Sequence, residues 1–308
     1  MRAIPKNRRL MELQRKMHFF TQRGTSKFHF IHLTFLILLV KWGIRLLGLW
    51  RRGQHNAAAL RLTSYAVTLP DLPAPFEGFR LLFASDIHIE SIPELAEKIA
   101  DLARRTDYDL CLLGGDYRFY DHGSPVTAAG LLARLLPVLR AKSRVIGILG
   151  NHDEYELGLE LEAAGVEMLI NDHRVIERNG ARLYICGIDD SNYYAAHDLN
   201  QARENIPEPA CKILLSHSPD LYREAAAAGF SLYLCGHTHG GQLCLPYGIP
   251  VLTQTSASHR LVRGLWQYHH LLGCTCTGAG CSALPLRFNC PPEIILLTLH
   301  AGPQPATP

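Results

Sequence analysis

A chain of 308 residues, 47% of them hydrophobic, has enough apolar material for one large core or two smaller ones. A net charge of +3 excludes a nucleic-acid binder that works through bulk positive charge, and no nucleic-acid partner is expected. The 16 histidines direct the search toward metal and acid–base chemistry.

The first 27 residues are basic: Arg2, Lys6, Arg8, Arg9, Arg15, Lys16, Arg23 and Lys27 stand against one acid, Glu12. An apolar stretch follows from Phe28 to Trp50, with no small-residue cleavage signal at its end. Its length suits a spanning helix, but Lys41 and Arg45 lie inside it, each costing about 2.5–3.5 kcal/mol at mid-bilayer. Arg23, Lys27, Thr34, Lys41, Arg45, Gly48 and Arg52 recur at helical steps and form one narrow stripe. That pattern predicts a membrane-associated helix within residues 1–52, lying in the surface with its basic face toward anionic head groups. A spanning helix is the second reading and a soluble helix docked on the domain the third.

Residues 53–78 read as a linker and an edge strand, the latter alternating over Arg61–Leu69 before Pro70, Pro73 and Pro75. Five apolar runs then each end in a polar cluster. Leu81–Ser85 leads to Asp86-Ile87-His88, Leu110–Leu113 to Gly114-Gly115-Asp116, and Val145–Leu149 to Gly150-Asn151-His152-Asp153. Lys212–Ser216 leads to His217, and Leu232–Cys235 to Gly236-His237-Thr238-His239. Such runs are typical of strands covered on both faces. Helical patterns lie between them at Pro93–Arg105, Ala128–Leu139, Leu157–Gly165 and Leu221–Ala228. Further strands read at Arg182–Ile188 and Glu293–Leu299, with a turn at Pro246–Pro250 and a disordered tail at 301–308. Alternating strands and helices predict an α/β fold whose ligands bind beyond the carboxyl ends of the strands, where all five clusters fall.

The clusters supply Asp86, His88, Asp116, Asn151, His217, His237 and His239. Oxygen and nitrogen donors without cysteine suit Mn²⁺, Fe or Zn²⁺. Two carboxylates leave a pair of divalent ions with net positive charge, which a phosphate ester matches. Two such ions can clamp a phosphoryl group and acidify a bridging water. His152, beside Asn151, sits where a general acid belongs. The nine cysteines are odd in number, scattered through apolar runs, and fit no strong zinc spacing, so they read as reduced, buried thiols.

The series Asp86-x-His88, Gly115-Asp116, Gly150-Asn151-His152-Asp153, His217 and Gly236-His237-x-His239 resembles the calcineurin-like metallophosphoesterases, over roughly residues 79–300. The resemblance implies a four-layer αββα sandwich and a two-metal site at the strand ends, most readily with Mn²⁺. Asp86, His88 and His239 would hold one ion, Asn151, His217 and His237 the other, and Asp116 both. His152 would contact the phosphoryl oxygen or protonate the leaving oxygen, held by Asp153 or a near neighbour. Where many members carry a second aspartate shortly after the bridging one, in a G-D-x-x-D block, this chain has Arg118 and Phe119, so Arg118 is a candidate to face substrate.

Ser85–His88 and Leu284–Ile294 look like the membrane-linked YkuE/YaeI-type branch. That branch includes enzymes cleaving UDP-2,3-diacylglucosamine, so the resemblance implies a diester or pyrophosphate hydrolase of a lipid-linked substrate. Arg203, Arg260, Arg263 and Arg287 are candidates to hold a diphosphate, and Tyr193, Tyr194, Trp266 and Tyr268 to line its cleft. Reduced cysteines and basic flanks lean toward the cytosolic face of the inner membrane. The alternatives are hydrolysis of soluble nucleotides or phosphoproteins, and a non-catalytic membrane scaffold.

Overall fold

The computed structural model describes residues 8, 10 and 12, 37–119 and 126–303. Among these, two six-stranded sheets pack face to face. The first runs β1 (Arg61–Leu69), β12 (Glu293–Ala301), β2 (Phe79–Ala84), β3 (Leu110–Leu113), β4 (Val145–Gly147) and β5 (Glu167–Met168). Strands β2 to β5 are parallel, and β12 is antiparallel to β2. The second sheet runs β10 (Gly264–Tyr268), β11 (Leu271–Thr275), β9 (Leu232–Cys235), β8 (Lys212–Leu215), β7 (Ala181–Gly187) and β6 (Asp172–Arg178). Its four inner strands are parallel, with antiparallel β10 and β6 at the edges.

Alternating side chains of each strand serve two cores, which is why the runs are apolar without interruption. Leu81 and Phe83 of β2 and Leu110 and Leu112 of β3 meet Ile213, Leu215, Leu232 and Leu234 between the sheets. Leu82, Ala84, Cys111 and Leu113 turn outward onto Ile99, Leu132 and Leu136 of helices α2 (Leu95–Arg105) and α3 (Val126–Arg140). Leu214, Tyr233 and Cys235 turn outward onto Tyr222, Ala225 and Phe230, around the short helix α6 (Tyr222–Ala227). Helix α4 (Tyr155–Ala163) covers the far end of the first sheet and α5 (Leu199–Ala202) adjoins β6. The layers are helix, sheet, sheet, helix. All nine cysteines are buried free thiols, several of them core members.

The N-terminal region departs from expectation in three ways. Residues 37–46 are helical, but the chain turns at 47–48, where Gly48 has φ +68°, and a second helix, α1 (Trp50–Ala57), follows. The polar stripe therefore does not continue straight to Arg52. Residues 53–57 are not linker either: Gly53 and Ala57 are buried, and a Cβ on Gly53 would lie 2.8 Å from the Phe288 ring. The boundary at residue 79 likewise falls inside the domain, because β1 pairs along its whole length with β12. Among the described residues no helix is long and apolar enough to cross a membrane. Most of residues 1–36, with most of the basic segment 1–27, the segment 120–125 and the tail 304–308 lie outside the described residues.

Candidate metal centre

Each ligand candidate sits within a few residues of the carboxyl end of a parallel strand, where a loop must turn sharply away from the sheet. Asp86, His88, Asp116, His237 and His239 all have positive φ, between 37° and 68°. Non-glycine residues rarely adopt this region, and local strain of order 1–3 kcal/mol per residue persists only where the surroundings enforce it. Glycine makes the room: a Cβ on Gly236 would lie 2.0 Å from Asp86 Oδ2, and one on Gly150 would lie 2.2 Å from Asp116 Oδ1.

Two groups of side chains converge. Asp86, His88 and His239 form one, and Asp116, His217 and His237 the other; within each group the donor atoms lie within 4.8 Å of one another. All six residues are buried. In the first group His88 Nε2 is 3.2 Å from His239 Nε2, and Asp86 Oδ1 is 3.3 Å from the same nitrogen. In the second, His217 Nε2 is 3.2 Å from Asp116 Oδ2 without hydrogen-bond alignment. His88 Nε2 lies 3.7 Å from that same Asp116 oxygen, so Asp116 stands between the groups. Ligands bound at about 2.0–2.2 Å to one cation come to rest about 3–3.5 Å apart, so these spacings fit a metal ion in each group.

The remaining ring nitrogens fix which face each histidine presents. His88 Nδ1 donates to the Arg118 carbonyl at 2.6 Å, His217 Nδ1 to Gly114 O at 2.9 Å, and His237 Nε2 to Gln254 O at 2.7 Å. The inward-facing nitrogens are therefore His88 Nε2, His217 Nε2 and His237 Nδ1. Burial lowers the pKa of His88, despite the opposing Asp116 charge, to about 4. Burial likewise lowers His237 and His239, the latter further beside His88 and Arg287. Neutral imidazoles are what a metal requires. Burial would lower His217 too, but the Asp116 and Asp86 carboxylates raise it to about 10. Asp116 is held well below the carboxylate range against its burial, by His217, His152 and His88. A cation in the cluster would replace that proton.

Asn151 Oδ1 is buried with no hydrogen-bond partner, an expensive state for an amide oxygen unless a cation satisfies it. Its neighbours place it at the centre: Gly150 abuts the Asp116 carboxylate, and the His152 N–H donates to Asp116 Oδ1 at 2.9 Å. His152 Nδ1 is also buried and unpartnered, with its ring 5.1 Å from that of His88. The donor set, its spacing and these orphaned atoms fit the binding of divalent metal.

Residues 79–241 match the family described as calcineurin-like phosphoesterase. The phosphodiesterase YaeI of Escherichia coli (strain K12) is 31% identical over 232 residues, covering 72% of this chain and 82% of that one. The chain belongs to the calcineurin-like phosphoesterase family. It is a metal-dependent phosphoester hydrolase, of a family that uses a divalent metal centre. An uncharacterised metallophosphoesterase of Bacillus subtilis (strain 168), YkuE, is 26% identical over 251 residues, 79% of this chain and 86% of its own. A Danio rerio protein described as a transmembrane protein with a metallophosphoesterase domain is 26% identical over 285 residues, 86% of this chain and 62% of its own.

Four expected roles in this phosphoesterase need correction. Asp153 does not hold His152. Its fully buried carboxylate accepts the backbone N–H groups of Gly150, Asp116 and Tyr117 at 2.7–2.9 Å and so ties two site loops together. Burial and the Asp116 charge push it up to about 6, against those bonds. Arg287 faces no substrate either: it is 0% exposed, and its guanidinium donates to the carbonyls of Gly280, Thr277, Gly278 and Cys290. One of its nitrogens lies 3.4 Å from His239 Nδ1, so it sets the loop on which that ligand candidate stands. Arg118 is 1% exposed and paired with Glu154 at 3.1 Å, and its carbonyl reaches the site through His88. Trp266 is core, its indole N–H donating to Thr275 Oγ1.

Several supporting groups carry no recognisable signal in the amino-acid pattern. Ser85 Oγ donates to Asp86 Oδ2 at 2.7 Å. Asp220 accepts from Thr255 Oγ1, Ser256 N and Ser256 Oγ, pinning the segment next to Gln254. Arg8 is buried. It pairs with Asp189 and Glu12, donates to Asp153 O at 3.1 Å, and lies 3.5 Å from the centre of the Tyr194 ring.

Proposed function

We propose that this phosphoesterase is a membrane-associated, two-metal enzyme that hydrolyses a phosphodiester or pyrophosphate bond of a lipid-linked substrate such as UDP-2,3-diacylglucosamine, at the cytosolic face of the inner membrane. The observation that carries it is the pair of buried acid–imidazole groups with Asp116 between them. Asp86, His88 and His239 would hold one ion, Asn151, His217 and His237 the other, and Asp116 would serve both. Mn²⁺ fits an all-oxygen-and-imidazole set, with Fe and Zn²⁺ as competitors. When bound, the metals supply Lewis-acid charge to the phosphoryl oxygens and lower the pKa of water near them.

The chain's own residues do the rest. Asp86 and Asp116 leave the site with a charge deficit that draws a phosphate anion. His152, unpartnered at Nδ1 and next to the centre, reaches the phosphoryl group or gives its proton to the leaving oxygen. Membrane association draws support from the helical run 37–46 and the turn after it, where Leu38, Leu39, Trp42, Leu46 and Leu47 are 44–85% exposed beside Lys41 and Arg45. The YaeI relative is described as a phosphodiesterase and the Danio rerio relative as a transmembrane protein, which supports both halves of the reading.

The test assays the purified full chain, with Mn²⁺ and after chelation, on a soluble aryl diester, an aryl monoester and UDP-2,3-diacylglucosamine. Metal-dependent cleavage of the diester and faster cleavage of the nucleotide-lipid are expected. Diester cleavage with no turnover of the lipid substrate would discard the lipid assignment, and no metal-dependent cleavage of any of the three would discard the enzyme.

A further inference from the structure

The loop between the two site segments carries an apolar tip that nothing in the fold uses. Residues 245–252 read Leu-Pro-Tyr-Gly-Ile-Pro-Val-Leu. Leu245, Ile249, Val251 and Leu252 are each more than half exposed, and Tyr247, at φ +65°, is 97% exposed. One exposed apolar residue is ordinary; five in eight positions, with Tyr247 bare at the apex, form a patch. The Arg263 guanidinium lies beside Gly248, within 2.6 Å of where a Cβ would stand, and Arg260 is exposed nearby in sequence.

The charge pattern selects the partner. No Asp or Glu occurs between Glu224 and Glu293, the stretch that contains this loop. None occurs between Glu12 and Asp71, the stretch that contains the exposed apolar helix 37–46. The loop and the N-terminal helices are also linked in the fold. Gly53 of α1 packs on Phe288 and Leu286, and Gly53 O and Asn56 Nδ2 bond the backbone of Arg287. Phe288 in turn bridges to Leu243 and accepts from Cys244 N, at the root of the loop. At the other root, Asp220 is engaged by Thr255 and Ser256. Apolar tips on two stretches of chain that carry bases and no acid match a bilayer with anionic head groups, not a protein surface needing paired charges.

We propose that residues 245–252 are a second membrane contact, inserting Tyr247 and its apolar neighbours into an anionic lipid surface. The loop leaves the chain three residues after Gln242, whose N–H bonds His239 O, and returns at Gln254, whose carbonyl holds His237. Insertion therefore sets the bilayer directly beside the metal centre, and an amphiphilic phosphoester reaches it without leaving the interface. This rests on the membrane-associated reading above and adds to it a site that the N-terminal helix does not provide.

The test uses the full chain carrying Tyr247→Trp, and vesicles of brominated phosphatidylglycerol or of brominated phosphatidylcholine. The introduced indole is expected to blue-shift and be quenched, relative to the unaltered chain, on the anionic vesicles. An added indole that keeps its aqueous emission while the protein is vesicle-bound overturns the proposal. A second variant joins Tyr247→Ser, Ile249→Ser and Val251→Ser. It is expected to lose about tenfold or more in affinity for phosphatidylglycerol vesicles, with soluble diester hydrolysis unchanged. Unchanged vesicle affinity overturns the proposal, as does light scattering showing that the three changes split a dimer of this chain. The diester assay reads the metal centre alone, so a dead enzyme that still inserts its loop separates failure of the hydrolase reading from failure of this one.

Discussion

The backbone N–H of Asp116 donates to Asp153 Oδ2 at 2.7 Å, and this bond joins the loop after β3 to the loop after β4. The same oxygen accepts from Gly150 N, and its partner oxygen accepts from Tyr117 N. One carboxylate thus sets the distance between Asp116 and Asn151. Asp153→Asn keeps the size but turns an amide N–H₂ toward at least one backbone donor. Leaving a buried donor unsatisfied costs about 1–3 kcal/mol, and loss of such support costs about 10–100-fold in metal affinity. A lower melting temperature together with reduced metal content by elemental analysis is expected. A variant as stable and as metal-loaded as the parent would show that Asp153 does not organise the centre.

His152 and Asp116 should separate metal binding from turnover. The hydrogen bond from His152 to Asp116 is made by the backbone, so His152→Ala leaves it in place. The expected result is full metal content with diester turnover reduced about 10²–10⁴-fold, the usual range for losing an acid–base group. Asp116→Ala removes the carboxylate between the two histidine groups and is expected to lose both metal and activity. Metal loss in the first variant, or retained hydrolysis in the second, would reverse the two roles.

The sheets and the donor set were legible because both rest on local pattern. Unbroken apolar runs such as Leu110–Leu113 mark doubly covered strands, and short polar clusters at their ends mark a rim. The helices differ from their predicted limits by a few residues: Pro93 and Glu94 precede α2 rather than open it, and α3 runs through Pro137 from Val126 to Arg140. What the chain does not spell out is the direction of a long side chain. Arg287 and Arg118 carry the charge a diphosphate needs, yet burial gives both to the protein's own backbone and to Glu154. Asp153 follows His152 immediately, but adjacency does not place its carboxylate on the imidazole. The sharp turn at Gly48 was similarly hidden, since glycine fits a helical stripe as readily as it ends one.

Arg287 offers a test of that correction. Its guanidinium serves the carbonyls of Thr277, Gly278, Gly280 and Cys290, near His239. Arg287→Lys keeps the charge but cannot span those acceptors with one ammonium. Destabilisation of about 3 kcal/mol or more is expected, within the range for breaking a buried network. Denaturant titration measures it. Metal content should fall with the His239 loop, while KM for a soluble diester in the metal-saturated fraction stays unchanged. A raised KM with unaltered stability would instead return Arg287 to the substrate.

Asp220 gives the pH dependence a sign. Burial would raise its pKa, but hydrogen bonds from Ser256, Asn192 and Thr255 lower it to about 2. The unfolded value is about 3.9. A carboxylate whose folded pKa is depressed contributes stability that is complete above the unfolded pKa and is lost as pH falls through the folded one. The contribution is therefore full at neutral pH and disappears between about pH 4 and pH 2. Asp220→Ala strips the acceptor from Thr255 and Ser256 and is expected to cost about 1.5–3 kcal/mol at neutral pH. The difference in denaturation free energy between parent and variant should narrow across that acid window. Because the pinned segment includes the neighbour of Gln254, whose carbonyl holds His237, the variant should also bind metal more weakly at pH 7. A stability difference that persists unchanged at low pH would mean that the charge of Asp220 is not what fastens this segment to the metal centre.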